Sequence, residues 1–294
     1  MAGLLCFGMG FCAEVLASRL KPEGWTIVGT SRSEARIREL ADCGYRAVTF
    51  SGVEATGILS TSPLYILVSA PPDDAGDPVL QAFGERLSTT ARTIVWVGYL
   101  STTGVYGDRQ GAWVSEESTA QPLSERGRRR LKAEDDWLSW GRSNAVPVQV
   151  FRLAGIYGPG RNQLVSLQEG SARRIEKQGQ VFSRIHVEDV ATVLQASMRL
   201  PKPGRIYNVC DDEPAPPQNV VAYAAHLMGR NPPPLEPYEQ ARSTLSPMSA
   251  SFYQESKRVD NGRMKTELGV RLAYPTFREG LSALQAEMNT LKPA

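Results

Sequence analysis

The chain has 294 residues, 41% of them hydrophobic and 22% charged, enough to bury one large core or two modest ones. Lys and Arg number 33 against 31 Asp and Glu, so no global field gathers nucleic acid or anionic lipid, and any anion recognition has to be local. Two histidines and four cysteines, with no Cys-x-x-Cys spacing, supply no ligand set for a structural zinc or iron–sulfur site and no disulfide framework. The opening stretch Met1–Ser18 is apolar but lacks a basic leader and is interrupted by Glu14. No later apolar run reaches the roughly 18 residues of a membrane span, so a soluble cytoplasmic protein is expected.

In chain order, short apolar runs alternate with amphipathic stretches. The runs are Gly3–Phe7, Trp25–Thr30, Ala47–Phe50, Leu64–Ser69, Thr93–Leu100 and Pro147–Leu153. Helical spacing over Phe11–Leu20 and Ser33–Cys43 separates the first three, with Ser33 placed to cap the second helix. This pattern predicts βαβ units: six parallel strands with helices on both faces. After Leu153, Gly and Pro become dense, at Gly155–Gly160, Pro201–Gly204, Pro214–Pro217 and Pro232–Pro237. A strand at Arg205–Val209 and helices at Val187–Arg199, Gln218–Met228 and Arg258–Leu268 are expected there, most of them in a smaller lobe. The resulting division places residues 1–157 and 181–212 in a nucleotide-binding domain, and 158–180 with 213–294 mostly in a substrate lobe.

Gly8-Met9-Gly10-Phe11-Cys12-Ala13 follows the first strand and opens the first helix. Gly8 suits a tight turn, Gly10 lets backbone approach a pyrophosphate, and Ala13 lets helix pack on strand, with the helix N-terminus facing the phosphates. Gly8, Gly10, Phe11, Cys12 and Ala13 are therefore candidate cofactor contacts, joined by Ser69 and Ala70 at the end of the fourth run. An acidic residue after the second strand would grip a ribose 2′-hydroxyl. The sequence instead offers Ser31 and Arg32, whose forked donors suit a 2′-phosphate, so NADP is preferred, with NAD as the other option.

The segment Gly98-Tyr-Leu-Ser-Thr102-Thr-Gly-Val-Tyr106-Gly runs from the fifth strand into a loop rich in hydroxyls. With the glycine turn, it resembles the extended branch of the short-chain dehydrogenase/reductase superfamily, the NAD(P)-dependent epimerases and dehydratases. Further ordered matches are Arg152-Leu-Ala-Gly-Ile-Tyr157-Gly-Pro-Gly, Ile185-His-Val-Glu-Asp-Val-Ala191 and Tyr207-Asn-Val209. The resemblance spans roughly Gly3 to Leu284 and implies a Rossmann-like doubly wound parallel sheet with a small interleaved C-terminal lobe. It implies too that Thr102 holds the place of the catalytic hydroxyl that binds a substrate oxygen.

The family's Tyr-x-x-x-Lys pair is missing. Glu134 matches the glutamate that follows the pair, which puts Arg126 in the tyrosine's place and Arg130 in the lysine's. Arginine keeps its proton at every accessible pH and cannot replace a general acid. Arg130 is still placed to steady the nicotinamide ribose. Tyr106 and Tyr157 are the candidate proton donors, each needing its pKa lowered by a nearby cation. Tyr253 and Lys257 have the right spacing but fall in the wrong place in chain order. His186 is expected to be structural, and Asp211-Asp212 to cap a turn rather than bind a metal.

For the substrate, the candidates are Tyr106, Arg161, Asn162, Arg184 and Arg258, the arginines because this lobe in sugar-nucleotide enzymes often clamps a diphosphate. The expected protein is an NADP(H)-preferring oxidoreductase or epimerase-like enzyme with an atypical active site, acting on a small, anionic or neutral carbonyl or hydroxyl compound, as a monomer or homodimer. The alternative is a nucleotide sensor that binds NADP(H) without turnover. An ordinary sugar-nucleotide epimerase is disfavoured, because no tyrosine exists on Ser124–Trp140.

Overall fold

The computed structural model describes residues 1–290. Seven parallel strands form one sheet: β1 Gly3–Phe7, β2 Thr26–Thr30, β3 Arg46–Val48, β4 Leu64–Val68, β5 Ile94–Thr102, β6 Val148–Leu153 and β7 Ile206–Val209. Their spatial order is β3-β2-β1-β4-β5-β6-β7. The chain therefore starts at the centre and reverses direction beside β1, which leaves a crevice at the strands' carboxyl ends between β1 and β4. This is a Rossmann-like α/β sheet, with one strand more than the six expected. Ile206–Val209 pairs with β6 from Ile206↔Val150 to Val209↔Leu153 and so belongs to the main sheet.

Alternation along the strands sends side chains to two cores, as a sheet covered on both faces requires. In β1, Leu4 and Cys6 face one core with Leu16, Trp96, Phe151 and Leu194, while Leu5 and Phe7 face the other with Val28, Phe83, Val97 and Trp137. Helices α1 (Phe11–Leu20) and α5 (Val187–Arg199) cover the first face. Helices α3 (Pro78–Thr89) and α4 (Glu125–Asn144) contribute Phe83, Leu87 and Trp137 to the second, and α2 (Glu34–Asp42) flanks β3. Ser33 caps α2 by accepting from Arg36 N, and Ser124 caps α4 by accepting from Gly127 N.

A separate apolar cluster joins Tyr157 and Leu164 to α6 (Pro217–Leu227) and α8 (Phe277–Thr290). The helix expected at Arg258–Leu268 is split. Arg258–Val259 pairs in parallel with Trp113–Val114, and α7 begins only at Gly262. The physical reason is local: the Asp260 carboxylate accepts from Gly262 N, an Asx turn that competes with helix across Asp260-Asn-Gly. Among the described residues no helix is long and apolar enough to cross a membrane.

Gly98 lies in β5 two residues from Trp96, and a Cβ there would stand 2.2 Å from the indole. Gly98→Ala therefore has to displace Trp96 and break its Nε1 hydrogen bond to Ser197 Oγ (3.2 Å). A loss of about 1–3 kcal/mol in urea unfolding is expected, and an unchanged midpoint would refute the packing argument.

Candidate functional site

The glycine turn sits at the crevice. Gly8 has φ +91°, and a Cβ on it would lie 2.8 Å from Ser69 Oγ and 3.0 Å from Ala70 N, so both the backbone and the space demand glycine. The turn is fixed by Gly8 N donating to Thr30 Oγ1 (2.8 Å), Met9 N to Thr30 O (2.8 Å), and Ser69 Oγ to Gly8 O. Ser69 and Ala70 also donate their amides to Phe7 O, at 2.9 Å each. They thus brace the turn through its backbone. By contrast, a Cβ on Gly10 would meet nothing within 4 Å, and no side chain caps α1, so its first amides have no side-chain acceptor. Phe11 is half-buried, whereas Cys12 and Ala13 are buried. Burial pushes the Cys12 thiol up to about 12, so it stays neutral and serves as a small wall. These residues fit a dinucleotide, with Gly10 supplying the close approach and α1 the donors.

After β2, Ser31 Oγ accepts from Ser33 N (3.2 Å). Arg32 is exposed and has no partner among the described residues; the nearby Glu39 is taken by Arg36 at 2.9 Å. The guanidinium is therefore free for a phosphate.

The α4 arginines divide sharply. Arg128 pairs with Glu125 (2.7 Å), Arg129 with Asp74, and Lys132 with Asp136 (2.5 Å), all on the helix surface. Arg130 is buried and donates to Leu100 O (2.7 Å) and Tyr99 Oη (3.2 Å), so it braces the carboxyl end of β5. Those bonds use one of its terminal nitrogens. Arg126 is exposed and has no partner among the described residues. It stands one turn before Arg130, about 6 Å along the axis, in the first turn of α4. Gly127 beside it is pressed against Gly104 O, where a Cβ would come to 3.2 Å, so this turn of α4 sits on the Thr103–Tyr106 turn. Thr102 is half-buried and its Oγ1 accepts from Gly104 N (3.1 Å), which leaves its hydrogen available to another acceptor.

Tyr106 and Tyr157 are not set up as the expected acids. Tyr106 is fully buried, its hydroxyl donates to Asn208 Oδ1 (2.7 Å), and burial raises its pKa despite the Arg152 guanidinium 4.9 Å from the ring centre. Tyr157 points its hydroxyl towards Thr276 O (3.4 Å) under α8, where a Cβ on Gly280 would come within 2.0 Å of it. Burial raises its pKa as well, with Asp211 and Asp189 adding to the rise. The activation expected of these phenols required lowering, and desolvation acts in the opposite direction.

The expected substrate residues also separate. Asn162 caps the helix Gln163–Gln168, accepting from Leu164 N (2.9 Å) and Val165 N (3.1 Å), while its Nδ2 donates to Gly158 O (2.8 Å). Its polar atoms are thus occupied in building the turn. Arg184 donates to Phe182 O (3.0 Å) and Ala215 O (3.1 Å), and burial lowers it to about 10. Arg258 donates to Gly111 O and lines a cavity of about 330 Å³ with Lys177, Gln180, Pro214 and Gln218. Arg161 is exposed and without a partner among the described residues, in a turn closed by Gly158 N to Arg161 O (3.0 Å). His186 caps α5, its Nδ1 accepting from Glu188 N (3.2 Å), and burial lowers it to about 4.

Sequence reasoning missed the buried network beneath these residues. Arg152 on β6 grips Glu134 through Nε (3.1 Å) and Nη2 (2.7 Å), and Ser101 Oγ donates to the same carboxylate. Both ends of that pair stood inside the quoted motifs, Arg152 at the head of one and Glu134 anchoring the register, so their opposite charges were the available signal. Asp211 and Asp212 also behave differently from each other. Asp212 accepts from Asn261 Nδ2 (2.6 Å) and Lys265 Nζ, whereas Asp211 is 1% exposed and neither carboxylate oxygen has a hydrogen-bond partner among the described residues. Burial pushes the Asp211 carboxyl up to about 8 against the opposing charge of Arg184.

Comparison with known proteins agrees with the fold. The sequence model of the NAD dependent epimerase/dehydratase family matches residues 85–210. Protein YeeZ of Escherichia coli (strain K12) is 29% identical over 288 residues, covering 91% of this chain and 94% of that protein. A solved structure of a functionally unknown conserved protein from Silicibacter pomeroyi DSS is 50% identical and superposes with a TM-score of 0.89, covering 98% of this chain and 99% of that one. dTDP-glucose 4,6-dehydratase from Bacillus anthracis str. Ames, solved in complex with NAD, shares the fold at 17% identity and a TM-score of 0.79, over 99% and 97% of the two chains.

Two variants test the buried charges. Arg152→Met leaves Glu134 in the core without its counterion, beside only the Ser101 hydroxyl, and a loss of about 3–5 kcal/mol is expected in chemical denaturation, where a change below about 1 kcal/mol would contradict the assignment. Asp211 titrates near 3.8 when unfolded and near 8 when folded, so between those values the unfolded state binds fewer protons. Its contribution to stability is complete below about pH 4 and is lost as pH rises towards 8. Asp211→Asn should remove this decline, so its stability relative to wild type should improve steadily from pH 4.5 to pH 8; a constant difference would show that the carboxyl is not perturbed.

Proposed function

We propose that the chain is a member of the NAD dependent epimerase/dehydratase family, whose sequence model matches residues 85–210, and that it is an NADP(H)-dependent enzyme acting on a small carbonyl or hydroxyl compound. The observation that carries the cofactor reading is the open Gly10 face beside the uncapped start of α1, with the unpaired Arg32 at the end of β2. Those backbone amides suit a pyrophosphate. The Arg32 fork suits a 2′-phosphate, and the position directly after β2 holds Ser31 in place of a carboxylate that would select a free 2′-hydroxyl.

When bound, a nicotinamide would supply hydride exchange with a substrate carbon. What the protein supplies is positioning and charge. The Thr102 hydroxyl, held by Gly104 N, can donate to a substrate oxygen. Arg126 cannot yield a proton as a tyrosine would, but its fixed charge can stabilise negative charge developing on that oxygen. Solvent is then the source of the proton. Arg130 orders the end of β5 beneath, through Leu100 O. Tyr106 lies buried beneath this region, its ring held by Arg152. The same arrangement favours an anionic substrate, since Arg126 has no internal counterion among the described residues.

Titration of tryptophan fluorescence with NADPH and NADH measures the preference directly. Wild type should bind NADPH about 10- to 100-fold more tightly, and Arg32→Ala should lose that advantage while binding NADH as before, as expected for loss of a charge-assisted contact. Equal wild-type affinities would remove the 2′-phosphate assignment. NADPH consumption against small 2-oxo acids and their neutral amides tests turnover. Reduction of the 2-oxo acids to 2-hydroxy acids with oxidation of NADPH, slower in Arg126→Gln, supports the enzyme reading, whereas binding with no turnover on either set would favour the nucleotide sensor.

A further inference from the structure

We infer that Arg161 is a cofactor residue, reaching from the turn after β6 to the dinucleotide pyrophosphate opposite the first amides of α1. The inference rests on the cofactor reading above and assigns to the cofactor a cation that the sequence pattern offered to the substrate.

The turn that carries Arg161 is pressed onto the cofactor helix. A Cβ on Gly158 would come to 3.1 Å from the Phe11 ring and 2.6 Å from Val187 Cγ1, so the chain there touches the first residue of α1 and the start of α5. Its backbone is held in place by the paired Gly158–Arg161 hydrogen bonds and by Asn162, which grips Gly158 O and the following helix together. The Arg161 side chain is left free while its backbone is fixed. On the other side, Gly10 leaves open space. A dianionic pyrophosphate lying over Gly10 would then meet backbone donors from α1 and a two-pronged cation from the β6 turn. Such a clamp needs both sides, since the amides of one helix carry only partial charges.

Alternative roles are separated by fragments of the cofactor. NADP⁺ carries a 2′-phosphate and a pyrophosphate, ADP-ribose the pyrophosphate alone, and 2′-AMP the 2′-phosphate alone. Binding of each is measured by calorimetry to wild type, Arg161→Gln, Arg161→Lys and Arg32→Ala, without substrate. Arg161→Gln should weaken NADP⁺ and ADP-ribose about tenfold and leave 2′-AMP within about twofold, with Arg161→Lys intermediate. Arg32→Ala should show the converse, weakening NADP⁺ and 2′-AMP but not ADP-ribose. Because Arg161 is exposed, its variants should keep the wild-type melting temperature. ADP-ribose affinity unchanged in Arg161→Gln, with wild type binding normally, would overturn the inference and leave the cofactor reading standing. Failure of wild type to bind NADP⁺ and ADP-ribose at all would overturn both.

Discussion

The buried pair between Glu134 and Arg152 holds the site together. Glu134 projects from α4, Arg152 from β6, and Ser101 from β5 donates to the same carboxylate, so one ion pair fixes a helix against two strands at their carboxyl ends. Burial works against the Arg152 charge, and the hydrogen bonds and charge of Glu134 more than offset it. The consequences run outward. The guanidinium lies over the Tyr106 ring, Tyr106 donates to Asn208 on β7, and Asn208 is bound in turn to Glu116 (2.7 Å) and to Asp260 O (3.1 Å). A chain of polar contacts thus crosses from the sheet to the irregular segments beside it. Such a network is costly unless every member is satisfied, and here it fixes the register of α4, and so the heights of Arg126 and Arg130 above β5.

Much of the fold was legible because its signals are local. The glycine turn, the alternating strands and the capped helices each depend on neighbours within a few residues, and the ranges Gly3–Phe7, Phe11–Leu20 and Val187–Arg199 appear as expected. What could not be read depends on distant partners. Nothing near Ile206–Val209 in the chain says that it pairs with β6, and nothing near Tyr157 says that Gly280 packs on its hydroxyl. The same limit governs the site. A tyrosine or asparagine in a loop looks available to a ligand until the fold supplies Asn208 to one hydroxyl, Thr276 to another, and a helix start to Asn162. The split at Asp260-Asn-Gly was legible in principle, since those residues favour turns, but the helical spacing of Met264 and Leu268 masked it.

The arginines show how the fold sorts residues of one type. Arg152 is enclosed with a carboxylate, Arg130 and Arg184 are spent on backbone carbonyls, and Arg128 and Arg129 are paired on the surface. Arg32, Arg126 and Arg161 remain unpaired, after β2, at the start of α4 and after β6. In a parallel sheet these positions share the carboxyl edge. A nearly neutral molecule therefore carries three uncompensated cations along this edge.

The short strand pair Trp113–Val114 with Arg258–Val259 joins segments more than a hundred residues apart, and Asp108 reaches equally far to Ser256 N (2.8 Å). Such contacts cost much loop entropy before they are rewarded. During synthesis, strands β1 to β5 can pair while the chain that completes the region around Asp108 has not yet been made. The edge of the site next to Tyr106 then stays open to solvent and to chaperones until the segment Ser256–Val259 has been made.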